Sequence, residues 1–142
     1  MEAQLEMTLK VLMVDDSDIV LFLHHEILAE AHLSHNPRSA LNGEIALNIM
    51  LNEENPDSHY LILLDINMPV MNGWEMLDAL NENADKLPPY TVIMITSSID
   101  ARDKAKSRNY KNVFGFYEKP LTAKDCFEIK HLQVIEQFFN YD

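Results

Sequence analysis

The amino-acid sequence predicts an α/β fold, namely a doubly wound five-stranded parallel sheet with helices on both faces. Short apolar runs rich in Val, Ile and Leu alternate with longer amphipathic stretches, which is the order expected of strand–helix units. The run at residues 60–64 is apolar throughout, as in a strand that is covered on both faces. Right-handed crossovers between parallel strands then place helices on both faces of the sheet.

The five strands are expected at the apolar runs. The first run stops abruptly at four Asp and Ser residues, which marks the end of its strand. The second strand is the weakest, because Pro37 lacks a backbone N–H and restricts that strand to an edge position. We expect the strands at residues 10–14, near residues 34–39, and at residues 60–64, 91–95 and 113–117.

The first helix is expected directly after residues 15–18, whose acidic side chains suit the positive end of a helix dipole. Three histidines, His24, His25 and His32, lie on or near this helix. They lack the His-Glu-x-x-His spacing of a zinc site, so we expect surface or partly buried side chains instead of metal ligands. Apolar residues recur along the first helix at helical spacing: Ile19, Phe22, Leu23, Ile27 and Leu28.

Four more helices follow. The last begins near Thr122, where Thr122 and Asp125 resemble a capping box. The others are expected to open at Asn42-Gly43, to run over residues 74–81, and to cover a polar stretch at 101–108. The last helix is expected to carry apolar side chains along its whole length: Phe127, Ile129, Leu132, Ile135, Phe138 and Phe139.

The composition limits the classes of function. The 142 residues fit one domain, expected over residues 1–142. With 11 basic and 23 acidic residues, the formal net charge of −12 argues against direct nucleic-acid binding and against binding to anionic membranes. The single cysteine, Cys126, cannot form an internal disulfide, and no apolar run is long enough to insert into a membrane. Residues 1–8 lack the basic region of a signal peptide, so we expect a cytoplasmic protein.

Unusual polar residues fall at the ends of the predicted strands. Asp15 and Asp16 follow the first strand, Asp65 follows the third, Thr96 ends the fourth, and Lys119 lies two residues past the fifth. Because the carboxyl ends of parallel strands share one edge of a sheet, these side chains should converge in one pocket. Three carboxylates there would repel one another, and a Mg²⁺ ion bound by hard oxygen ligands removes that conflict. The predicted chemistry is metal-assisted phosphoryl transfer onto an aspartate.

Four segments carry a resemblance to a known family. They are Val-Asp-Asp-Ser at 14–17, Leu-Leu-Asp-Ile-Asn-Met-Pro-Val-Met-Asn-Gly-Trp-Glu at 63–75, Ile-Thr-Ser-Ser at 95–98 and Glu-Lys-Pro-Leu at 118–121. In this order and at strand ends, they resemble the receiver domain of two-component response regulators, similar to the chemotaxis receiver. The resemblance covers about residues 8–140. It implies a flavodoxin-like sheet with strand order 2-1-3-4-5.

The resemblance also implies roles for single residues. Asp65 would be the phosphoacceptor that attacks the phosphohistidine of a sensor histidine kinase or a histidine phosphotransfer protein. Asp15 and Asp16 would organise Mg²⁺, with Asp65 and the backbone carbonyl of Asn67 as further ligands. Lys119 would contact the phosphoryl group.

The remaining implied roles concern the switch. Thr96 would supply the hydroxyl that moves to the phosphoryl group, and Phe116 the aromatic side chain that turns inward. The face formed by the fourth helix, the fifth strand and the fifth helix would then change for a downstream partner protein. Loop geometry would depend on three residues: Pro69, Gly73 and Pro120, the last after a cis peptide bond.

Other interpretations stand beside the receiver. Asp15 and Asp16 alone would be ordinary acids at a helix start around a Ser17 or Asp18 cap. A Mg²⁺-dependent phosphohydrolase with an aspartyl-phosphate intermediate is one alternative, although Asn67 stands where such enzymes place a second acid. A pseudo-receiver that binds partners without phosphorylation is another. We expect a stand-alone receiver that is not an enzyme and that signals through protein contacts.

Overall fold

Residues 7–139, which the computed structural model describes, contain one five-stranded sheet of order β2-β1-β3-β4-β5 in which all neighbouring strands are parallel. This confirms the predicted fold class and strand order. The expected core at 8–140 and the expected single domain at 1–142 extend beyond the described residues. The strands are β1 (Thr8–Val14), β2 (Arg38–Ala40), β3 (Ser58–Asp65), β4 (Tyr90–Thr96) and β5 (Val113–Glu118).

Within the described range, four α-helices and one short 3₁₀ turn lie between the strands, and two more α-helices follow the last strand. They are α1 (Asp18–Glu30), α2 (Gly43–Leu51), α3 (Gly73–Glu82), α4 (Ala101–Ser107), α5 (Ala123–Lys130) and α6 (Gln133–Glu136), with the 3₁₀ turn at Ala84–Lys86. No helix among residues 7–139 is both long enough and apolar enough to cross a membrane.

Alternating strand residues divide the core into two layers, because successive side chains of a strand point to opposite faces. On one face, Ile62 and Leu64 pack with buried residues of α2 and α3. On the other face, Leu61 and Leu63 pack with buried residues of α1, α5 and α6. β3 is buried along its whole length, as its apolar run predicts. The sheet is therefore a rigid platform whose carboxyl ends hold the loops of the candidate site.

The buried side of α1 differs from the prediction. The side chains that face the core are Leu21, His24 and Leu28, spaced three and four residues apart. Ile19 and Phe22 are instead 73% and 63% exposed. His24, expected on the surface or partly buried, is only 3% exposed. Because histidine is polar, position 24 is not part of the apolar pattern of the sequence, and that pattern therefore predicts the wrong buried side of α1.

The predicted last helix is broken in two. α5 ends at Lys130, and Leu132 has an extended backbone before α6 begins. In one straight helix, Ile135 would lie roughly 120° around the axis from Ile129. The break allows both Ile129 and Ile135 to be fully buried in the same core layer.

Two strands also differ from the prediction. β2 is only three residues long and begins at Arg38, directly after Pro37, and it lies at the predicted edge of the sheet. β5 runs to Glu118, so Lys119 follows it directly and not two residues later. A register irregularity separates the pairs of Val113 and Gly115 with β4, and Phe114 between them is 47% exposed.

An ionic cluster lies near the amino ends of β1 and β3. We call Lys10, Glu53 and Tyr60 the base cluster. The Lys10 Nζ donates to both oxygens of Glu53 at 2.8 and 2.9 Å, and the Tyr60 hydroxyl donates to Glu53 Oε1 at 2.6 Å. Burial by itself would raise the pKa of Glu53, but these hydrogen bonds lower it to about 2.

Candidate functional site

Three carboxylates meet at the carboxyl ends of β1 and β3. We call Asp15, Asp16 and Asp65 the acidic cluster. One carboxylate oxygen of each lies within 4.8 Å of the others. Asp15 and Asp65 are buried, whereas Asp16 is exposed. The structure thus brings together residues 15 and 65, which are far apart in the sequence, as the parallel sheet predicts.

Local structure holds the Asp15 carboxylate at the start of α1. The Asp15 Oδ1 accepts a hydrogen bond from the backbone N–H of Ser17 at 2.9 Å. Ser17 is the N-cap residue, and its hydroxyl accepts from the N–H of Val20 at 3.3 Å. Asp15 therefore belongs both to the turn before α1 and to the acidic cluster, so the two interpretations of this acid pair are compatible.

Lys119 joins two of the carboxylates. Its Nζ lies 2.8 Å from Asp15 Oδ2 and 3.1 Å from Asp65 Oδ1, and the lysine side chain is only 15% exposed. Its backbone N–H donates to the carbonyl of Thr96 at 2.7 Å. The three carboxylates of the acidic cluster and this one ammonium together carry a formal charge of −2.

The pKa values reflect this imbalance. Burial, together with the charge of Asp15, raises the pKa of Asp65, although Lys119 and the backbone N–H of Asn67 oppose the rise. Burial would lower the pKa of Lys119, but the hydrogen bond to Asp15 and the charge of Asp65 raise it overall. Lys119 is therefore a firmly charged ammonium beside a carboxylate that is costly to ionise.

The acidic cluster fits a divalent cation. Mg²⁺ takes oxygen ligands at about 2.0–2.1 Å, so ligands on opposite sides of the ion are roughly 4 Å apart, close to the size of the cluster. A charge of +2 would also balance the formal local charge. Carboxylate oxygens are the donors that Mg²⁺ prefers in proteins.

The loop after Asp65 packs against the strand through Gly73. The backbone N–H of Gly73 donates to the Ile66 carbonyl at 2.8 Å, and a Cβ at this position would lie 2.6 Å from the carbonyl oxygen of Asp65. Only glycine fits so close to the backbone of the acidic cluster. Asn67 and Pro69 are both exposed on this loop.

Val70, next in the same loop, has φ 69°, and the Met71 N–H donates to the Pro69 carbonyl at 2.7 Å. A hydrogen bond between residues two apart around a positive φ is the strained form of γ-turn. Sequence reasoning missed this feature, since a β-branched residue rarely adopts such a conformation.

Thr96 and Phe116, the two predicted switch residues, lie on the neighbouring strands β4 and β5. Thr96 is buried, and its hydroxyl donates to the Ser98 carbonyl at 3.2 Å and accepts from the Ser98 N–H at 3.4 Å. Phe116 is half-buried against the α2–α3 core layer. The hydroxyl thus bonds to its own loop, and no hydrogen bond joins it to Asp65 in the described structure.

The loop that carries Lys119 turns through a cis peptide bond to Pro120. Beyond it, Thr122 and Asp125 form the predicted capping box of α5, with both reciprocal hydrogen bonds present. His24 also reaches this loop, where its Nε2 accepts the N–H of Leu121 at 3.2 Å. Sequence reasoning missed this contact, although His24 lies three residues after Leu21 and four before Leu28.

Comparisons with known proteins agree with the fold described above. The family model for the response regulator receiver domain matches residues 11–130. Response regulator Rcp1 of Synechocystis is 30% identical over 132 residues, which are 91% of this chain and 87% of that protein. The crystal structure of a two-component response regulator from Cytophaga hutchinsonii is 32% identical with a TM-score of 0.71, covering 87% of this chain and 95% of that one.

Some curated relatives are much longer. The chain is 35% identical over 112 residues to a protein-glutamate methylesterase/protein-glutamine glutaminase of Desulfotalea psychrophila and spans 29% of it. It spans 7% of a hybrid signal transduction histidine kinase of Dictyostelium discoideum, to which it is 30% identical over 122 residues. The similarity to these two proteins is thus limited to a small part of each.

Proposed function

The chain belongs to the response regulator receiver domain family, and we propose that it works by accepting a phosphoryl group on Asp65. The donor is the phosphohistidine of a sensor histidine kinase or of a histidine phosphotransfer protein. The observation that carries the proposal is a buried Asp65 carboxylate within reach of one lysine ammonium and two further carboxylates.

In the proposed reaction, a phosphoryl group moves from a histidine nitrogen of the donor to a carboxylate oxygen of Asp65. A carboxylate oxygen of Asp65 attacks the phosphorus atom, the O–P bond forms, and the P–N bond of the phosphohistidine breaks. The imidazole leaves with the electron pair of that bond. Because the transition state is loose and its charge is spread over the equatorial oxygens, the chain contributes mainly position and electrostatic stabilisation.

The acidic cluster is proposed to hold Mg²⁺ with the side chains of Asp15, Asp16 and Asp65 and the backbone carbonyl of Asn67. The bound cation supplies the charge that lets an anionic phosphoryl group approach an anionic carboxylate. Burial keeps Asp15 and Asp65 oriented, and the Ser17 N–H fixes one oxygen of Asp15.

Lys119 and Thr96 are proposed to bind the transferred group. The Lys119 ammonium already lies 3.1 Å from Asp65 Oδ1 and donates to the oxygens that arrive there. The Thr96 hydroxyl makes two long bonds of 3.2 and 3.4 Å to Ser98, which it exchanges for a phosphoryl oxygen.

These differential contacts produce a switch. Phosphoryl oxygens gain Thr96 and Lys119 as partners in only one conformation, so phosphorylation shifts the population toward that conformation. Phe116 is half-buried two residues before Glu118, the partner of Thr96 in the sheet register. We propose that Phe116 turns inward when Thr96 moves, and that a downstream protein recognises the changed surface of α4, β5 and α5.

The wider role is proposed in the same terms. The receiver acts in the cytoplasm. It carries out no reaction besides its own phosphorylation and the reversal of it. Its partners are proteins, with no direct contact to nucleic acid and no insertion into a membrane. The net charge of −12 supports the absence of nucleic-acid contact. For the membrane, the support is that no helix among residues 7–139 is long and apolar enough to cross one.

Intact-protein mass spectrometry after incubation with acetyl phosphate tests the proposal. Wild type with Mg²⁺ should gain one phosphoryl group, and wild type without Mg²⁺ should gain none. The Asp65→Asn variant should gain none in either condition. Asp85→Asn, which changes an exposed aspartate distant in sequence from the acidic cluster, is the matched control and should behave as wild type.

Two results would contradict the proposal. A phosphoryl group that appears at the wild-type rate on Asp65→Asn would show that another residue is the acceptor. Wild type that gains no phosphoryl group from acetyl phosphate, from a histidine kinase or from a phosphotransfer protein would identify a pseudo-receiver instead.

A further inference from the structure

His24 is a buried polar residue with a defined hydrogen bond. The donor of that bond is the backbone N–H of Leu121, so the Nε2 must carry the lone pair and a neutral ring holds its proton on Nδ1. Burial lowers the pKa of His24, and Lys119 acts in the same direction while Asp15 opposes it. A protonated ring would have no acceptor for Leu121.

The loop after β5 has few backbone donors, and each has one partner. The N–H of Lys119 donates to the Thr96 carbonyl at 2.7 Å, and Pro120 has no N–H. The N–H of Leu121 donates to His24, and that of Thr122 donates to Asp125 within the α5 capping box at 3.0 Å. His24 is therefore the only side chain outside the β5–α5 segment that binds a backbone N–H of this loop within the described residues.

This bond links the two parts of the acidic site. α1 begins directly after the turn that holds Asp15 and Asp16, and it also carries His24. The loop that His24 binds carries Lys119, whose Nζ contacts Asp15 and Asp65. The backbone around Lys119 is thus held on one side by Thr96 and on the other side by His24.

We propose that His24 is a positioning residue for phosphoryl transfer, which fixes the backbone at Leu121 and so holds the Lys119 ammonium beside Asp65. The inference rests on the proposed function of Asp65 as phosphoacceptor. An apolar side chain of similar size would fill the same space in the α1–α5 core layer, but it would leave the buried N–H of Leu121 without a partner.

Three substitutions separate positioning from packing. His24→Leu keeps apolar bulk and removes the acceptor, whereas His24→Gln places an amide oxygen close to the original Nε2. His24→Asn is polar but too short to reach Leu121. His25→Leu is the matched control, because His25 is the next residue of the same helix and is exposed.

The measurements are the rate of phosphorylation by acetyl phosphate at saturating Mg²⁺ and the Mg²⁺ dissociation constant. His24→Leu and His24→Asn should be phosphorylated about tenfold more slowly, as expected when one positioning hydrogen bond is lost. Their Mg²⁺ affinity should not weaken, because the acidic cluster is untouched. His24→Gln should recover most of the rate, and His25→Leu should match wild type.

The amide of Leu121 gives an independent readout by nuclear magnetic resonance. Its hydrogen exchange, measured without Mg²⁺ or a phosphoryl donor, should be faster in His24→Leu than in wild type and should slow again in His24→Gln. If His24→Leu fails to fold, His24→Gln and His24→Asn still compare a side chain that accepts the Leu121 hydrogen bond with one that does not.

Two results overturn the inference while leaving the proposed function standing. One is a wild-type phosphorylation rate in His24→Leu, and the other is a Gln variant as slow as the Asn variant. A wild-type chain that accepts no phosphoryl group overturns the proposed function, and the role of His24 in it falls at the same time.

Discussion

Two ionic clusters lie at opposite ends of β1 and β3 and contain similar groups. The pKa of the central carboxylate is lowered in one cluster and raised in the other. In the base cluster, one carboxylate, Glu53, receives hydrogen bonds from Lys10, Tyr60 and the backbone N–H of Asn55. At the acidic cluster, one ammonium is shared by the buried carboxylates of Asp15 and Asp65. The first carboxylate has several donors, whereas the second pair competes for one.

The pKa directions record this difference. Hydrogen bonding lowers the pKa of Glu53 to about 2, whereas burial and the charge of Asp15 raise the pKa of Asp65. The base cluster thus stabilises the fold at neutral pH, and the acidic cluster keeps an unbalanced negative charge that a cation is needed to neutralise. Local imbalance, rather than the mere presence of charged residues, distinguishes a candidate site from a structural ion pair.

The largest expected effect comes from removal of the shared ammonium. Lys119→Met should lower the free energy of unfolding by about 3 kcal/mol at pH 7 without Mg²⁺, because two buried carboxylates lose their cationic partner. Mg²⁺ should stabilise this variant more than wild type. Urea unfolding with and without Mg²⁺ measures both. Lys111→Met, at an exposed lysine, is the control, and an equal loss in the two variants would contradict the argument.

The base cluster should give a smaller loss with a definite dependence on pH. Glu53→Gln should cost about 1–2 kcal/mol at pH 7, since hydrogen bonds to a charged acceptor are weakened. The folded pKa of Glu53 is depressed to about 2, so its contribution is complete above its ordinary value of about 4.3 and is lost as the pH falls toward 2.

Urea unfolding between pH 7 and pH 2 measures this dependence. The stability difference between wild type and Glu53→Gln should shrink steadily below pH about 5. Glu54→Gln changes the neighbouring exposed glutamate and should have little effect at any pH. A difference that stays constant over the whole range would show that the charge of Glu53 does not contribute.

Neutralising Asp65 should change stability in the opposite sense. Asp65→Asn should raise the free energy of unfolding by about 1 kcal/mol without Mg²⁺, because a buried carboxylate that is costly to ionise becomes neutral while Lys119 keeps Asp15 as its partner. The folded pKa of Asp65 is raised, so wild type loses stability as the pH rises from the ordinary value through the folded one.

The stability gained by Asp65→Asn should therefore grow as the pH increases. The stability lost by Glu53→Gln should also grow with pH, so the two variants should move in opposite directions from wild type. Urea unfolding at several pH values, with Asp85→Asn as the control, measures it. A less stable Asp65→Asn would show that the ion pair with Lys119 outweighs the burial of the charge, and the contrast between the two clusters would then fail.

The smallest expected effect concerns the backbone beside the acidic cluster. Val70→Gly should raise the free energy of unfolding by about 0.5–1 kcal/mol, because glycine adopts a positive φ without the steric cost of a Cβ. Val70 is 74% exposed, so little packing is lost. Thermal unfolding measures the gain. Val70→Ala retains the Cβ and should gain less, and an equal gain would exclude a backbone cause.

The sheet and the meeting of the carboxylates were predictable from the sequence. Parallel strands place their carboxyl ends at one edge, and the strand order β2-β1-β3-β4-β5 then brings Asp15, Asp65 and Lys119 to the same part of that edge. β3 and β4 contain the predicted apolar runs at 60–64 and 91–95, and each strand extends beyond its run at both ends. These predictions depend on the local sequence and on a topology that has few alternatives.

Features set by tertiary packing were not predictable in the same way. The break before α6 follows from the need to bury Ile129 and Ile135 in one layer. The buried side of α1 depends on a histidine whose partner, Leu121, is 97 residues away. The strained turn at Val70 runs against the preference of its own residue type. Each depends on contacts that no local pattern contains.

The order of the site residues along the sequence is also the order in which the ribosome synthesises them. Asp15, Asp16 and Asp65 leave the ribosome before Lys119, and the N–H of Lys119 must still pair with the Thr96 carbonyl at the edge of the sheet. A nascent chain that has not completed β5 therefore has the carboxylates but no ammonium beside them. The complete set of these side chains is accordingly present only in chains whose translation has passed β5.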